Sequence, residues 1–439
     1  MHIRPGARRE RRQGLVAARI QAMLSRVLGR PLPLAIQAWD GSVAGPDSAP
    51  IVVVHNRRAL RRLMWSPNEL GFARGYVSGD LDIDGDLCLA IQLFLHAVDS
   101  SNPPRRVRHR IQLLRDAGRL GLVGLPPRPP AEEIRRERRL RRSPDADAAA
   151  ISHHYDVSNE FYRLVLGESM VYSCAYWTDD RPGYGLADAQ RDKLELVSRK
   201  LGLRPGMRLL DVGCGWGAMV VHAAREHGVH AVGVTLSEEQ ADLARKQVAN
   251  SGVEHLVEIR VQDYRDVDDG PYDAICSIGM AEHVGREGLP EYARGLLALL
   301  RPQGRLLHHA IADRREPEPE TVSFIEGYVF PNGELSRVGD TVSALEVAGF
   351  EVRDVQSLRE HYSLTLREWV RRLDAHWAEA TAMVGERRAR IWRLYMIGSA
   401  VAFDIGRVGV DQVLAVRADQ GRSGMPLVRE RWLATCAPA

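Results

Sequence analysis

From about residue 150 onward, short apolar runs alternate with amphipathic stretches, which predicts a parallel sheet covered by helices. The runs are RLLDVG (208–213), HAVGVTL (230–236), VEIRVQD (257–263), YDAICSIG (272–279), RLLHHAI (305–311) and FEVRDVQSL (350–358). Between the first three lie MVVHAAREHG, with helical spacing, and SEEQADLARKQVANSG. In the latter, Ser237 is the expected N-cap and Gln240 follows three residues later, as in a capping box. A long helix is expected from about 365 to 404, kinked near Gly385. The first hundred residues read differently. A helical start, strand-like PLAIQAW, PIVVVHN and GDLDIDGD, and helical ALRRLMW and LCLAIQLFLHAV predict a small α+β domain over residues 1–100. Residues 101–148 form an Arg/Pro-rich connector whose GLPPRPP cannot continue a helix, and residues 149–439 hold the sheet-forming domain.

Composition adds boundaries. At 439 residues, 45% hydrophobic and 27% charged, the chain has the make-up of a globular protein of two or three domains. No stretch approaches about 18 uninterrupted apolar residues, so no membrane-spanning helix is expected. The basic opening MHIRPGARRERRQG lacks the apolar region and cleavage site of a secretory signal. The five cysteines, Cys88, Cys174, Cys214, Cys276 and Cys436, show no metal-ligand spacing, so a reducing cytoplasm and no metal are expected. Of the 60 basic residues, 57 are arginine; only Lys193, Lys200 and Lys246 are lysine. RRVRHR (105–110) and IRRERRLRR (134–142) flank the Pro-rich segment and suit either solvent or an anionic surface such as lipid headgroups. No motif that reads nucleic acid accompanies them, so nucleic acid is not an expected partner.

LLDVGCGWGA places Gly213, Gly215 and Gly217 directly after a strand and before a helix. Residues without a Cβ let the backbone turn tightly and approach a ligand at the carboxyl ends of parallel strands. The spacing alone leaves open S-adenosylmethionine, a dinucleotide, or a turn without ligand. The second strand ends in GVTLS rather than in an acidic residue, with Thr235 and Gln240 as hydrogen-bonding groups. Asp263 closes the third strand, where an adenine edge would lie. A strand-terminal Asp211 before G-x-G-x-G is the pattern of S-adenosylmethionine methyltransferases.

Seven motifs in one order, HHYDVSNEFY, YSCAYW, LLDVGCGWG, GVTLSEEQ, SIGMAEHVG, FIEGYVFPNGEL and HYSLTLREW, resemble the cyclopropane-fatty-acyl-phospholipid synthase family. The resemblance spans roughly residues 150 to 425, and LAIQAWDGS with RGYVSGDLDIDGDL resembles the N-terminal lipid-binding domain of the longer members. It implies an α/β fold: a Rossmann-like S-adenosylmethionine methyltransferase domain with a smaller N-terminal α+β lipid-binding domain. The activity it implies is methyl transfer from S-adenosylmethionine to the cis double bond of an unsaturated acyl chain of a membrane phospholipid. That reaction passes through a carbocation, with bicarbonate as the base, and leaves a methylene branch or a cyclopropane ring. Carried over by motif, the cofactor residues are Tyr155, Tyr172, Ser173, Gly213, Gly215, Gly217, Thr235, Leu236, Gln240, Asp263 and Tyr264. The bicarbonate cradle is Cys174, Glu282, His309, Ile311 and Tyr362.

Two departures from the family pattern matter. LLHHAIA (306–312) leaves His308 or His309 to face the anion and puts Ala310 where a hydroxyl is usual, and Ala281 stands where a bulky aromatic is usual. FIEGYVFPNGEL (324–335) is expected as an apolar loop at a tunnel mouth. The resemblance further implies peripheral contact with the inner, anionic face of the cytoplasmic membrane, and a homo-oligomer is compatible with it. The alternatives are a methyltransferase of small soluble substrates and a non-catalytic lipid-binding relative.

Overall fold

A computed structural model describes residues 15–99, 107–134, 158–314, 323–331 and 333–433. By their contacts the residues fall into two units, each assembled from separate stretches of chain. The first is Met1–Arg136, Glu320–Pro331 and Asp374–Val401; the second is Glu137–Pro319, Asn332–Leu373 and Ala402–Ala439.

The first unit is built on four strands, β1 (Ala35–Gln37), β2 (Val43–Ala44), β3 (Ile51–Val54) and β4 (Leu81–Asp84), in the order β2-β1-β3-β4. The predicted helices are present as Leu15–Leu28, Arg57–Trp65 and Leu87–Asp99, and their apolar faces close over Ile20, Ile36, Leu60 and Leu81. A further helix, Glu69–Val77, went unread because ELGFARGYV holds two glycines, which disfavour a helix interior. Packing explains Gly71: a Cβ there would come within 1.9 Å of the Ser66 carbonyl oxygen. Arg390 joins a late segment to this sheet. It is buried, donates to the carbonyls of Tyr76 (2.7 Å) and Leu81 (3.0 Å), and lies 4.2 Å over the Tyr76 ring. The first five residues of FIEGYVFPNGEL are helix rather than the expected loop. Ser323 caps a short helix, Phe324–Tyr328, through a reciprocal bond with Glu326, and both of its rings are buried.

The second unit holds a seven-stranded sheet made of β5 (Arg208–Val212), β6 (His230–Thr235), β7 (Val257–Val261), β8 (Tyr272–Ile278), β9 (Leu300–Asp313), β10 (Glu351–Ser357) and β11 (Val408–Val416). Their order is β10-β11-β9-β8-β5-β6-β7. The chain winds outward from β5 to β6 and β7, then returns to β5's other side as β8, with all these pairings parallel. That reversal opens a crevice at the carboxyl ends of β5 and β8, where ligands bind in doubly wound sheets. Helices Leu186–Leu201, Ala218–His227 and Glu238–Asn250 cover one face around Leu209, Ala274 and Leu307. Helices Ala281–Leu299 and Val338–Ala348 cover the other around Leu210, Ile275 and Leu306.

Two expectations change here. The predicted 365–404 helix is three helices, Arg359–Ala375, Trp377–Val384 and Glu386–Asp404. The break at Gly385 (φ 79°) was foreseen; the one at His376 carries no glycine or proline to announce it. β11 was also missed, and it runs antiparallel to both neighbours.

Candidate active site

The crevice leads into a cavity lined by the β5 turn, the ends of β6 and β8, and the segment Met170–Ser173. The turn explains its glycines separately. Gly215 has φ 54°, and a Cβ there would meet nothing within 4 Å, so its backbone stands open to the cavity. Gly217 (φ 85°) does not line the cavity; its Cβ would press on the Ala244 Cβ at 3.0 Å, so it serves helix packing. Of the other residues predicted to hold the cofactor, Tyr172, Ser173, Gly213, Thr235, Leu236, Gln240 and Tyr264 line the cavity. Tyr155 lies outside the described residues. Asp263 is turned away: it caps the turn Tyr264–Asp266 and binds the Arg265 guanidinium at 2.6 Å, while Gln262 lines the wall instead. Gln240 does not complete a capping box. Ser237 accepts its backbone N–H at 3.2 Å, but the side-chain oxygen takes the Thr235 hydroxyl at 2.9 Å.

YSCAYW forms no helix or strand and is pinned from both sides. Gln190 donates to the carbonyl of Ser173 (2.9 Å), and Tyr176 N–H donates to the Ala189 carbonyl. From the opposite side, Thr365 accepts from Ala175 N–H and from the Trp177 indole, both at 3.1 Å, and His361 accepts from Trp177 N–H. Lys193 is the residue that sequence reasoning missed. It is 1% exposed, lines the cavity and donates to Ser173 Oγ at 3.2 Å. Its signal was the four-residue spacing Ala189-Lys193-Val197, all buried on one helix face. Asp211 is buried beneath the turn and accepts from the Cys276 thiol at 3.2 Å. Burial pushes Asp211 up to about 6, against the pull of Cys276 and Lys193. It pushes Lys193 down to about 8, opposed chiefly by Asp211.

Beyond the cavity, the five residues expected to hold an anion are joined through a few hydrogen bonds. Gly279 N–H donates to the His309 carbonyl where β8 ends. Two residues on, Ile311 N–H donates to Glu282 Oε1 at 2.8 Å, so the carboxylate continues the ladder past the strand. Ile311 is opposite Val410 on β11, whose carbonyl accepts from Leu358 N–H. The Leu358 carbonyl in turn accepts from Tyr362 N–H and lies 3.7 Å from Cys174 Sγ. Strand alternation sets His309 and Ile311 on one face of β9. His308 and Ala310 face the other, where His308 Nδ1 meets the Tyr292 hydroxyl at 3.3 Å and Ala310 packs in the core.

The chemistry of this cluster follows from burial. Glu282 Oε2 and His309 Nε2 have no hydrogen-bond partner among the described residues. Burial raises the Glu282 carboxyl above its ordinary range and drives the His309 imidazole well below its own, helped by Lys193. The Cys174 thiol is likewise held neutral by burial. Two orphaned polar atoms, one on a carboxyl and one on a neutral imidazole, fit a small oxyanion that both accepts and donates. From cavity to cluster runs a continuous line of rings: Trp216–Tyr162 (4.9 Å), Tyr162–Tyr172 (5.8 Å), Tyr172–Trp369 (5.4 Å), Trp369–Tyr362 (6.1 Å) and Tyr362–Phe403 (4.8 Å).

A family model described as mycolic acid cyclopropane synthetase matches residues 142–413. The chain belongs to this family. Among known proteins the chain is similar to a probable fatty acid methyltransferase of Mycobacterium tuberculosis, 41% identical over 406 residues, covering 90% of this chain and 94% of that one. The cyclopropane-fatty-acyl-phospholipid synthase of Escherichia coli K12 is 36% identical over 264 residues, 60% of this chain and 66% of that one. Among solved structures, the mycolic acid cyclopropane synthase CmaA1 complexed with SAH and CTAB superposes with a TM-score of 0.57 at 35% identity, over 61% of this chain and 98% of that one. The chain is therefore an enzyme of the S-adenosylmethionine-dependent, lipid-modifying methyltransferase type, with the Rossmann-like fold that the motifs implied.

Proposed function

We propose that this enzyme methylates the cis double bond of an unsaturated acyl chain in a membrane phospholipid, with bicarbonate as the base. The line of six rings carries the reading, because it runs from Trp216 and Tyr172 in the cofactor cavity to Tyr362, one of the residues expected to hold the anion. In this reading Ser173, the Gly213–Gly217 turn, Thr235 and Gln240 hold S-adenosylmethionine, with Lys193 bracing Ser173 from behind. Glu282, His309 and Tyr362, with the backbone at Cys174 and Ile311, hold bicarbonate. The first group supplies an electrophilic methyl and the second a proton acceptor. The chain's own residues do the rest. Aromatic faces stabilise positive charge on the acyl chain, and the buried walls exclude the water that would trap it. Burial favours the neutral form of the Glu282 carboxyl, and its Oε2, which has no partner among the described residues, is the oxygen left to orient the anion. Loss of a proton from the added carbon closes a cyclopropane ring, or after a hydride shift leaves a methylene branch. Ala281, buried beside Glu282, stands where the family usually carries a bulky aromatic, a difference that favours the branch in this reading.

The substrate reading is supported by a surface of the first unit. Trp65 is 57% exposed and its indole donates to the Gly124 carbonyl, while Arg61 donates to the Gly121 and Val123 carbonyls. These bonds set Met64 and Trp65 beside exposed Val123 and Leu125, with Arg58 also exposed. Apolar tips among arginines favour an anionic bilayer surface, in keeping with a peripheral enzyme on the cytoplasmic face of the membrane. No helix of the described residues is long and apolar enough to cross one. The test is incubation with cis-unsaturated and saturated phospholipid vesicles and labelled S-adenosylmethionine. Label should enter only the unsaturated chains, and mass spectrometry then separates ring from branch. Label entering soluble amines or headgroups instead would overturn the reading.

A further inference from the structure

Outside the cavity, Glu195 of the helix Leu186–Leu201 meets His222 and His227 of the helix Ala218–His227. Among the described residues these three are the one group whose ligand atoms could share a metal ion, all within 4.8 Å of one another. Glu195 Oε2 lies 3.0 Å from His227 Nε2 and 3.4 Å from His222 Nε2. The carboxylate's other oxygen accepts from Arg199 Nε at 2.7 Å, one turn along the same helix, which fixes its orientation. His222 is 6% exposed, and the contact its Nε2 makes with the Glu195 carboxylate is a long one, 3.4 Å.

A buried ring nitrogen held only by a long contact is poorly satisfied, and the spacing indicates what would satisfy it better. Zinc binds imidazole nitrogen and carboxylate oxygen at about 2.0–2.2 Å, so two ligands of a tetrahedral ion stand about 3.3–3.5 Å apart. The 3.4 Å separation meets that value, and the 3.0 Å one needs to open by a few tenths of an ångström. Two imidazoles and a carboxylate suit zinc, whereas magnesium and calcium prefer all-oxygen sets. Glu195 and His227 are partly exposed, so water can reach a fourth position.

We propose that Glu195, His222 and His227 bind a zinc-class divalent cation that staples the helix Leu186–Leu201 to the helix Ala218–His227. Both helices wall the cofactor cavity, through Lys193 and Leu194 on the first and Ala218 and Met219 on the second, whereas none of the three ligands lines it. The ion is thus a structural clamp on the cavity wall and takes no part in methyl transfer. The expectation of no metal came from cysteine spacing, and this site uses no cysteine.

The test uses the full, tag-free chain, stripped with a chelator and titrated with zinc against a competing chromophoric chelator, with melting temperature as the second readout. Zinc should bind at one equivalent and raise the melting temperature. Glu195→Gln and His222→Ala should each weaken binding by about tenfold or more and remove the thermal shift. His227→Gln, at a partly exposed position, serves the same purpose should His222→Ala fail to fold. Cobalt should give a tetrahedral visible spectrum in the wild type that the folded variants lose. No zinc retained by the wild type, or equal binding by wild type and variants, overturns the site.

Discussion

The two halves of the active site are made in opposite ways. The cofactor half is drawn from several stretches around the glycine turn after β5, and its polar groups pair with one another, Thr235 with Gln240 and Lys193 with Ser173. The proposed base half draws its five residues from four distant stretches, and two of its buried atoms, Glu282 Oε2 and His309 Nε2, have no hydrogen-bond partner among the described residues. A site that binds a large, polar molecule can satisfy itself when the ligand is absent. One that holds a small anion beside a cation has to be built with the anion's place reserved, at a cost in stability.

This contrast predicts that the halves fail separately. The largest effect is expected for Glu282→Gln, which removes the titratable group but keeps its size. Turnover should fall by about 100-fold or more, while calorimetric binding of S-adenosylhomocysteine stays unchanged. Loss of both together would erase the distinction. Lys193→Met should do the reverse. It strands the Asp211 carboxylate in the core, so cofactor affinity should fall and stability drop by about 3 kcal/mol in a denaturant titration. Adding Asp211→Asn should restore much of the stability, because no uncompensated charge then remains. Within the base half, His309→Gln should lower turnover about tenfold while His308→Gln alters only stability, through Tyr292; equal effects on turnover would mean that both faces of β9 serve the reaction.

The smallest expected effect is on pH dependence. Cofactor affinity should weaken below about pH 6, as Asp211 takes a proton, and above about pH 8, as Lys193 loses one. Stability follows by linkage. Asp211 is raised relative to the unfolded chain, so its contribution is present at low pH and lost as pH rises through about 6. Lys193 is lowered, so its contribution is present at high pH and lost as pH falls through about 8. In Lys193→Met with Asp211→Asn both flanks should flatten.

The same contrast explains what was legible in the sequence. β5 to β9 and the glycine turn were readable because each is an apolar run closed by a glycine or a capping residue, a signal contained in one window. β11 was not, since VGVDQVLAV follows directly on a long helical stretch and its pairing with β9 and β10 is a tertiary fact. The break at His376 was hidden for want of a glycine, whereas Gly385 announced the next one. Asp263 looked like an adenine partner because it ends a strand, but Arg265 two residues later claims it. Lys193 could have been found: one of three lysines beside 57 arginines, on the buried stripe of a helix, is there for its compact charge. His308 and His309 could be separated only once the register of β9 against β11 assigned them faces.

The most direct test of a base beside the cation uses S-adenosylmethionine whose transferred methyl carries three deuterium atoms. Proton removal from the added carbon predicts that the modified acyl chain keeps two of them, in ring and branch alike, and that Glu282→Gln makes little of either product. An acyl chain that keeps all three, or wild-type yield from Glu282→Gln, would contradict the account.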